Sequence, residues 1–361
     1  MSTLHDHPRR RAVAALLAAV TLAVGACGGD GDSAEAADTA GSSDEAASAE
    51  IPDGITLTVA EQNGSESVAY ELSGAGEDAP YDVEFADFNG GPAVIEAVLS
   101  GGADVGYIGE APLPIAAGSG VDDLVAVAAR ANPGSSGNYY LVAQPDSDIS
   151  SVEDLAGRKV AYPPGTGRHM IVAAQLEAAG LSLDEDVEGV ELAGSEVAPT
   201  FASGSVDAAI VLGTQWFNLG EPPVIDDGAG LNWGLALLVV RRDTLEDAGK
   251  VAAIGDYVRR SVAASNWSAA HVDEWVQANY VEIEGLTAEQ GQYLIDDAGF
   301  DYYHPIDEDL QAAFQEVADG LQQTGAIEAE VNVASLIDGR FNDQVTAQNE
   351  ADGIELPPLE Q

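Results

Sequence analysis

One short unit occurs twice in this chain, and that repetition limits the folds open to it. Ser100-Gly101-Gly102-Ala103-Asp104 leads into the apolar run Val105 to Ile108, and Ser203-Gly204-Ser205-Val206-Asp207 leads into Ala208 to Leu212. Each time an apolar helical pattern ends at Ser-Gly, and an aspartate precedes a hydrophobic strand that closes at a glycine, Gly109 or Gly213. A unit used twice predicts two similarly built lobes. Length agrees: from Ile51 onward there are about 310 residues, more than one hydrophobic core usually organises.

Within each lobe the pattern alternates between strand and helix. Ile55 to Ala60 reads as a half-buried strand, followed by a Gln62-Asn63-Gly64-Ser65 turn and a second strand from Tyr81 to Phe85. Pro92 opens a helix carrying Val94, Ile95, Val98 and Leu99 at helical spacing. Leu124 to Ala129, Lys159 to Tyr162 and Gly234 to Val240 are further strands, and Ile171 to Ala179 is an amphipathic helix ended by Gly180. Ser150-Ser151-Val152-Glu153 has the spacing of a capping box. Such alternation predicts an α/β fold, with helices on the faces of each sheet. Crossings between lobes are expected near Leu141 to Pro145 and near Gly230 to Leu235. Residues 51–142 plus 235–361, with the C-terminal helices, then form lobe I, and 143–234 form lobe II. Two crossings make a hinge, and the cleft between lobes is where a small ligand binds.

The N-terminus has a different character. Arg9, Arg10 and Arg11 precede an uncharged apolar stretch from Ala12 to Val24, too short to span a bilayer and shaped like a secretory signal peptide over residues 1–26. Val24-Gly25-Ala26-Cys27 resembles the lipobox of bacterial lipoproteins. That likeness implies lipid on Cys27 and a chain anchored on the periplasmic or cell-surface side of the membrane. Residues 27–50 hold no aromatic or branched aliphatic residue before Glu50, so they are expected to be a disordered acidic tether. Cys27 is the only cysteine; once lipidated, it leaves no disulfide, thiol nucleophile or cysteine metal site.

Charge excludes whole classes of partner. Sixty-two acidic residues face 13 basic ones, for a formal net charge of −49. Nucleic-acid binding needs a basic face and is excluded, as is electrostatic attachment to anionic lipid. Such acidity suits saline surroundings, where the Debye length falls to about 3 Å at 1 M salt.

The run from Phe88 to Pro112, FNGGPAVIEAVLSGGADVGYIGEAP, resembles the first-lobe signature of aliphatic-sulfonate-binding proteins. These belong to the wider sulfonate, taurine, nitrate and thiamin-precursor group of ABC importer receptors. Ser151 to Val160 (SVEDLAGRKV), the Gly165 loop with His169, Gly204 to Ala208 and Asp226 to Leu231 extend the likeness over most of the chain. The resemblance implies a type II periplasmic-binding fold, capture of a small organic anion by lobe closure, and delivery to a permease with its ATPase. Monomeric behaviour is expected, with no cofactor and no metal. Two segments depart from the family pattern: Gly165-Thr166-Gly167-Arg168, and Thr214-Gln215-Trp216 after the second-lobe strand. They leave taurine, nitrate or a thiamin-pyrimidine-like precursor as alternative ligands.

Candidate ligand contacts follow from where the cleft should lie. Helix N-termini present unpaired N–H groups and a partial positive charge, which suits an anion in an acidic protein. Gly165, Thr166 and Gly167 let the backbone approach closely, with the Thr166 hydroxyl as a further donor. Gln62 and Ser65 follow the first strand, at the end where open α/β sheets bind ligands. Asn89 and Gly91 precede the Pro92 helix. Gly109 and Glu110 offer backbone N–H groups, although the Glu110 carboxylate would repel an anion and instead suits a helix start. Arg130, at the end of a strand near the crossing, could pair with an anion directly, and Trp216 could wall an apolar tail. Arg168 and His169 lie on the anion-loop helix, where a histidine is usually a surface or capping group. Asp226-Asp227 and Asp296-Asp297 read as solvated faces, and His271 and His304 lack ligand spacing. Enzymes of the same fold that make the thiamin pyrimidine use cysteines and a pyridoxal lysine. This chain has one cysteine and no evident Schiff-base lysine, so binding rather than turnover is expected.

Overall fold

The computed structural model describes residues 50–133 and 139–359. The signal peptide, Cys27 and almost all of the tether lie outside the described residues. No helix among the described residues is long and apolar enough to cross a membrane.

The chain builds two α/β lobes. The first opens with β1 (Thr56–Glu61), α1 (Ser65–Leu72), β2 (Asp82–Asp87), α2 (Gly91–Leu99), β3 (Val105–Gly109), α3 (Pro112–Gly118) and β4 (Leu124–Ala131). The second comprises β5 (Tyr139–Ala143), β6 (Lys159–Tyr162), α4 (Gly167–Ala178), β7 (Glu188–Glu191), α5 (Gly194–Ala202), β8 (Ala208–Leu212), α6 (Gly213–Asn218) and β9 (Val224–Asp226). The chain then returns to lobe I as β10 (Leu235–Arg241). It ends through α7 (Ala248–Ala270), α8 (Val272–Trp275), a π-helix over Val276–Ile283, α9 (Ala288–Ala298), β11 (Tyr302–His304), α10 (Glu308–Gln323) and α11 (Asn342–Asp352).

The repeated sequence unit becomes a repeated topology. The first sheet runs β11-β4-β10-β3-β1-β2 and the second β7-β6-β8-β5-β9. Read from β2 and from β7, the two share one plan. Three parallel strands (β2-β1-β3, β7-β6-β8) are followed by an antiparallel strand delivered by an inter-lobe crossing, β10 or β5. The two echoing aspartates do identical work. The Asp104 carboxylate accepts the Thr58 N–H at 3.0 Å while its own N–H donates to Thr58 O at 2.8 Å. Asp207 accepts the Lys159 N–H at 2.8 Å and donates to Lys159 O at 2.9 Å. Each clamps the start of its lobe's central parallel strand.

This plan moves one boundary. The expectation put the first crossing at Leu141 to Pro145, but Tyr139–Ala143 is a strand of the second sheet, hydrogen-bonded between β8 and β9. Leu141, Val142 and Ala143 are fully buried there, which apolar residues at a solvated hinge could not be. The first crossing therefore falls between Ala131 and Tyr139, and the second between Asp226 and Leu235. The capping box also shifts by one residue: Asp154, not Glu153, accepts the Ser151 N–H at 3.1 Å, with Ser151 as the cap.

Strand periodicity sorts the cores, because alternate side chains point to opposite faces. In β5, Leu141 and Ala143 join a cluster that continues into lobe I, whereas Tyr140 and Val142 face Val197 and Phe201. In β3, Val105 and Tyr107 face Val251, Ile254 and Tyr257 of the long helix α7. Asp247 caps that helix, accepting the N–H groups of Gly249 and Lys250 at 2.9 and 3.0 Å.

Candidate ligand cleft

Between the lobes lies a cavity of about 790 Å³. Lobe I contributes Gln62, the turn before α2 (Asn89 to Pro92), Gly109 and Pro112. Lobe II contributes Tyr139, Pro163, Pro164, Thr166 to Arg168, the start of α5, Leu212 and Gln215. The loops at the C-terminal ends of β1, β2, β3, β6, β7 and β8 thus converge there, as expected for open α/β sheets.

Of the residues singled out in the sequence, Gln62, Asn89, Gly91, Gly109, Thr166 and Gly167 line the cavity. Gln62 Nε2 donates to Tyr107 O at 3.0 Å, which fixes its amide at the cleft floor. Gly91 is required by packing: a Cβ there would stand 2.5 Å from Pro112 Cγ. Asn89 reaches across to lobe II, donating to Ser195 Oγ at 2.8 Å and accepting the Ser195 N–H at 3.3 Å. It therefore closes the cleft mouth over the N-terminus of α5. The Thr166 hydroxyl is not a spare donor; it donates to Pro163 O at 2.8 Å and stiffens its own loop.

Five candidates stand elsewhere. Gly165 lies just outside the lining, and its N–H donates to His169 Nδ1 at 3.3 Å. His169 stacks on Tyr162, and burial lowers its pKa, so the neutral ring that can accept this bond is favoured. Glu110 is only 5 % exposed and points away from the cavity. Its Oε2 accepts the N–H groups of Trp233 and Leu235 at 3.2 and 3.1 Å, pinning the second crossing. Burial pushes its carboxyl up to about 7, with those two N–H bonds pulling the other way. Trp216 is a packing residue: its Nε1 donates to Pro222 O at 2.9 Å, and its ring lies against Tyr140, Phe217 and Tyr293. Ser65 and Arg130 line a separate chamber of about 240 Å³ inside lobe I. There Glu66 holds Arg130 with both carboxylate oxygens, Asp301 approaches Arg130 Nε at 3.1 Å, and the Tyr107 ring lies 5.4 Å below. Charge in that chamber is settled internally, leaving Arg130 no call for an anion. Two aspartates read as solvated are also engaged: Asp226 accepts Gln175 Nε2 at 2.7 Å, and Asp297 accepts the Tyr140 hydroxyl at 2.9 Å.

The residue that sequence reasoning underrated is Arg168. It is 9 % exposed and lines the cavity, and its Nη1 donates to Gln215 Oε1 at 3.1 Å. Among the described residues the two lysines and Arg130, Arg158, Arg241, Arg259, Arg260 and Arg340 each pair with a carboxylate. Arg242 binds the carbonyls of Asp122 and Ser335. Arg168 meets only a neutral amide, so burial pulls its pKa down to about 10, opposed weakly by Tyr139. A buried guanidinium without a counter-charge is costly unless an anion arrives. The Gly-Thr-Gly-Arg departure from the family pattern was the available signal. Among the described residues no group of acidic, histidine or cysteine side chains could hold a metal ion.

Two α/β lobes facing each other across a hinged cleft make the fold of the periplasmic binding proteins. The alkanesulfonate-binding protein from Xanthomonas axonopodis pv. citri, solved bound to MOPS, superposes with a TM-score of 0.71 at 20 % identity, over 80 % of this chain and 99 % of that one. The chain belongs to the family described as "ABC transporter, phosphonate, periplasmic substrate-binding protein", which matches residues 76–311. It is 31 % identical over 170 residues to the "Putative aliphatic sulfonates-binding protein" of Escherichia coli (strain K12), 46 % of this chain and 52 % of that protein. It is 26 % identical over 230 residues to the taurine-binding periplasmic protein of the same organism, 62 % and 69 % of the two chains. The chain thus aligns with about half the length of the first of these relatives.

Proposed function

We propose that this chain is the extracytoplasmic receptor of an ABC importer, capturing an aliphatic sulfonate between its lobes and delivering it to a permease with its ATPase. The observation that carries this reading is Arg168, a buried cleft cation with no carboxylate partner, beside the first turns of α4 and α5. A sulfonate accepts from a guanidinium and from helix N-terminal N–H groups, and it stays ionised across the physiological range. The cavity, about 790 Å³, far exceeds what a bare nitrate fills, and its Pro92, Pro112, Pro163, Pro164, Leu192 and Leu212 walls suit an organic body. Lipid on Cys27 would hold the receptor at the membrane, and the acidic tether would set its reach. Lobe closure, with Asn89 bonded to Ser195, is the form offered to the permease.

A thermal-shift screen against alkanesulfonates, taurine, nitrate and a thiamin-pyrimidine precursor tests the reading. A ligand at 100 times its dissociation constant adds about 2.7 kcal/mol to native stability, a shift easily seen. Stabilisation by alkanesulfonates is the expected result. Stabilisation by the pyrimidine alone would reject the sulfonate.

A further inference from the structure

The cleft arginine is held by one neutral side chain. Gln215 Oε1 accepts from Arg168 Nη1 at 3.1 Å and from the Leu212 N–H at 3.2 Å, while Nε2 faces Gly194 O at 3.4 Å. One carboxamide therefore ties the guanidinium to the starts of α5 and α6. Gly194 makes the space, since a Cβ there would stand 2.6 Å from Arg168 Nη2. The other arginines with little exposure are held by acids, Arg130 by Glu66 and Asp301 and Arg260 by Asp256 and Asp78. A carboxylate in place of Gln215 would keep the geometry and cancel the charge.

We propose that Gln215 is a specificity-determining residue, which orients Arg168 without neutralising it and so makes the cleft a site for anions. This rests on the Arg168 reading above. The cavity lining makes the choice of an amide consequential: Glu96, Glu191 and Glu196 also border it, and among the described residues Arg168 is its only cationic side chain. With Arg168 paired internally, the border would repel any anion.

The test titrates pentane-1-sulfonate calorimetrically into the full chain and into its Gln215→Glu, Gln215→Met and Arg168→Met variants, from pH 7.5 down to pH 4. Gln215→Glu should weaken binding about 100-fold, a loss comparable to that of Arg168→Met. Gln215→Met, which drops the hydrogen bonds but adds no charge, should weaken it no more than about tenfold. The ratio of wild-type to Gln215→Glu affinity should fall toward the acid end of the range, where the new carboxyl, held down by Arg168, begins to protonate. Arg168, Tyr139, Glu96, Glu191 and Glu196 line the cavity in both proteins, so the ratio reads what the carboxyl at 215 adds. A Gln215→Met variant weaker than Gln215→Glu, or a ratio that does not move with pH, would overturn the proposal and make Gln215 merely structural. Full loss in Arg168→Met with none in Gln215→Glu would leave Arg168 in place and discard Gln215. Unchanged binding in Arg168→Met would sink both readings.

Discussion

Lobe I and lobe II share a strand plan, an aspartate clamp and a largely enclosed arginine, and the arginines have opposite fates. Arg130 is held by Glu66 and Asp301, acids from α1 and from the approach to β11. Arg168 lines the cleft with only the Gln215 amide as a partner. Both are largely shielded from water, so burial alone does not distinguish a strut from a ligand contact. What distinguishes them is whether the protein itself completes the charge. Lobe I uses its arginine to join α1, β4 and the β11 approach. Lobe II leaves its arginine incomplete, which is the gap the proposed anion would fill.

The largest effect expected from breaking this contrast is on stability in lobe I. Arg130→Met would strand Glu66 and Asp301 in a poorly solvated chamber and cost about 3–5 kcal/mol in urea unfolding. Sulfonate affinity, measured on the fraction that stays folded, should hold within a few fold. Arg168→Met should do the reverse: affinity falls by roughly 100-fold or more, while the unliganded protein is as stable as wild type or more so. If both variants lost stability equally, the contrast would be void.

Glu110 sharpens the comparison from the hinge. Its folded-state carboxyl sits at about 7, above its ordinary 4.5. Its contribution is fully present below about 4.5 and is lost as pH rises through about 7. Glu110→Gln keeps an acceptor for Trp233 and Leu235 and removes the buried charge. The variant should gain on wild type as pH climbs from 5 to 9, by roughly 3 kcal/mol at most. A gain that shrank with rising pH would contradict the assignment.

Smaller again is the cross-lobe bridge. Asn89→Ala removes both bonds to Ser195 and should lower ligand affinity about fivefold by favouring the open form, readable as a larger radius of gyration in solution scattering. The net charge acts on the whole molecule, and raising salt from low to molar concentration should lift the melting temperature by several degrees.

The two-lobe plan was readable because the Ser-Gly…Asp-strand unit is local, and each copy carries its own strand clamp. The first crossing was misplaced because Tyr139–Ala143 is apolar on both faces, and only sheet pairing tells such a strand from a buried connection. The cleft glycines and Asn89 were legible from turn chemistry. The choice between Arg130 and Arg168 was not, because the neutralising partners of Arg130 are Glu66 and Asp301, distant in sequence and brought together only by the fold. Trp216 failed for a similar reason: its partners Tyr140 and Tyr293 come from β5 and α9.

A crystal structure of the protein with an alkanesulfonate would show whether Arg168 holds the ligand. Sulfonate oxygens should lie about 2.7–2.9 Å from the Arg168 guanidinium, with Gln215 still bonded to it and Arg130 still paired with Glu66. A sulfonate seated in the lobe I chamber against Arg130, or bound in the cleft without touching Arg168, would contradict the role given to Arg168.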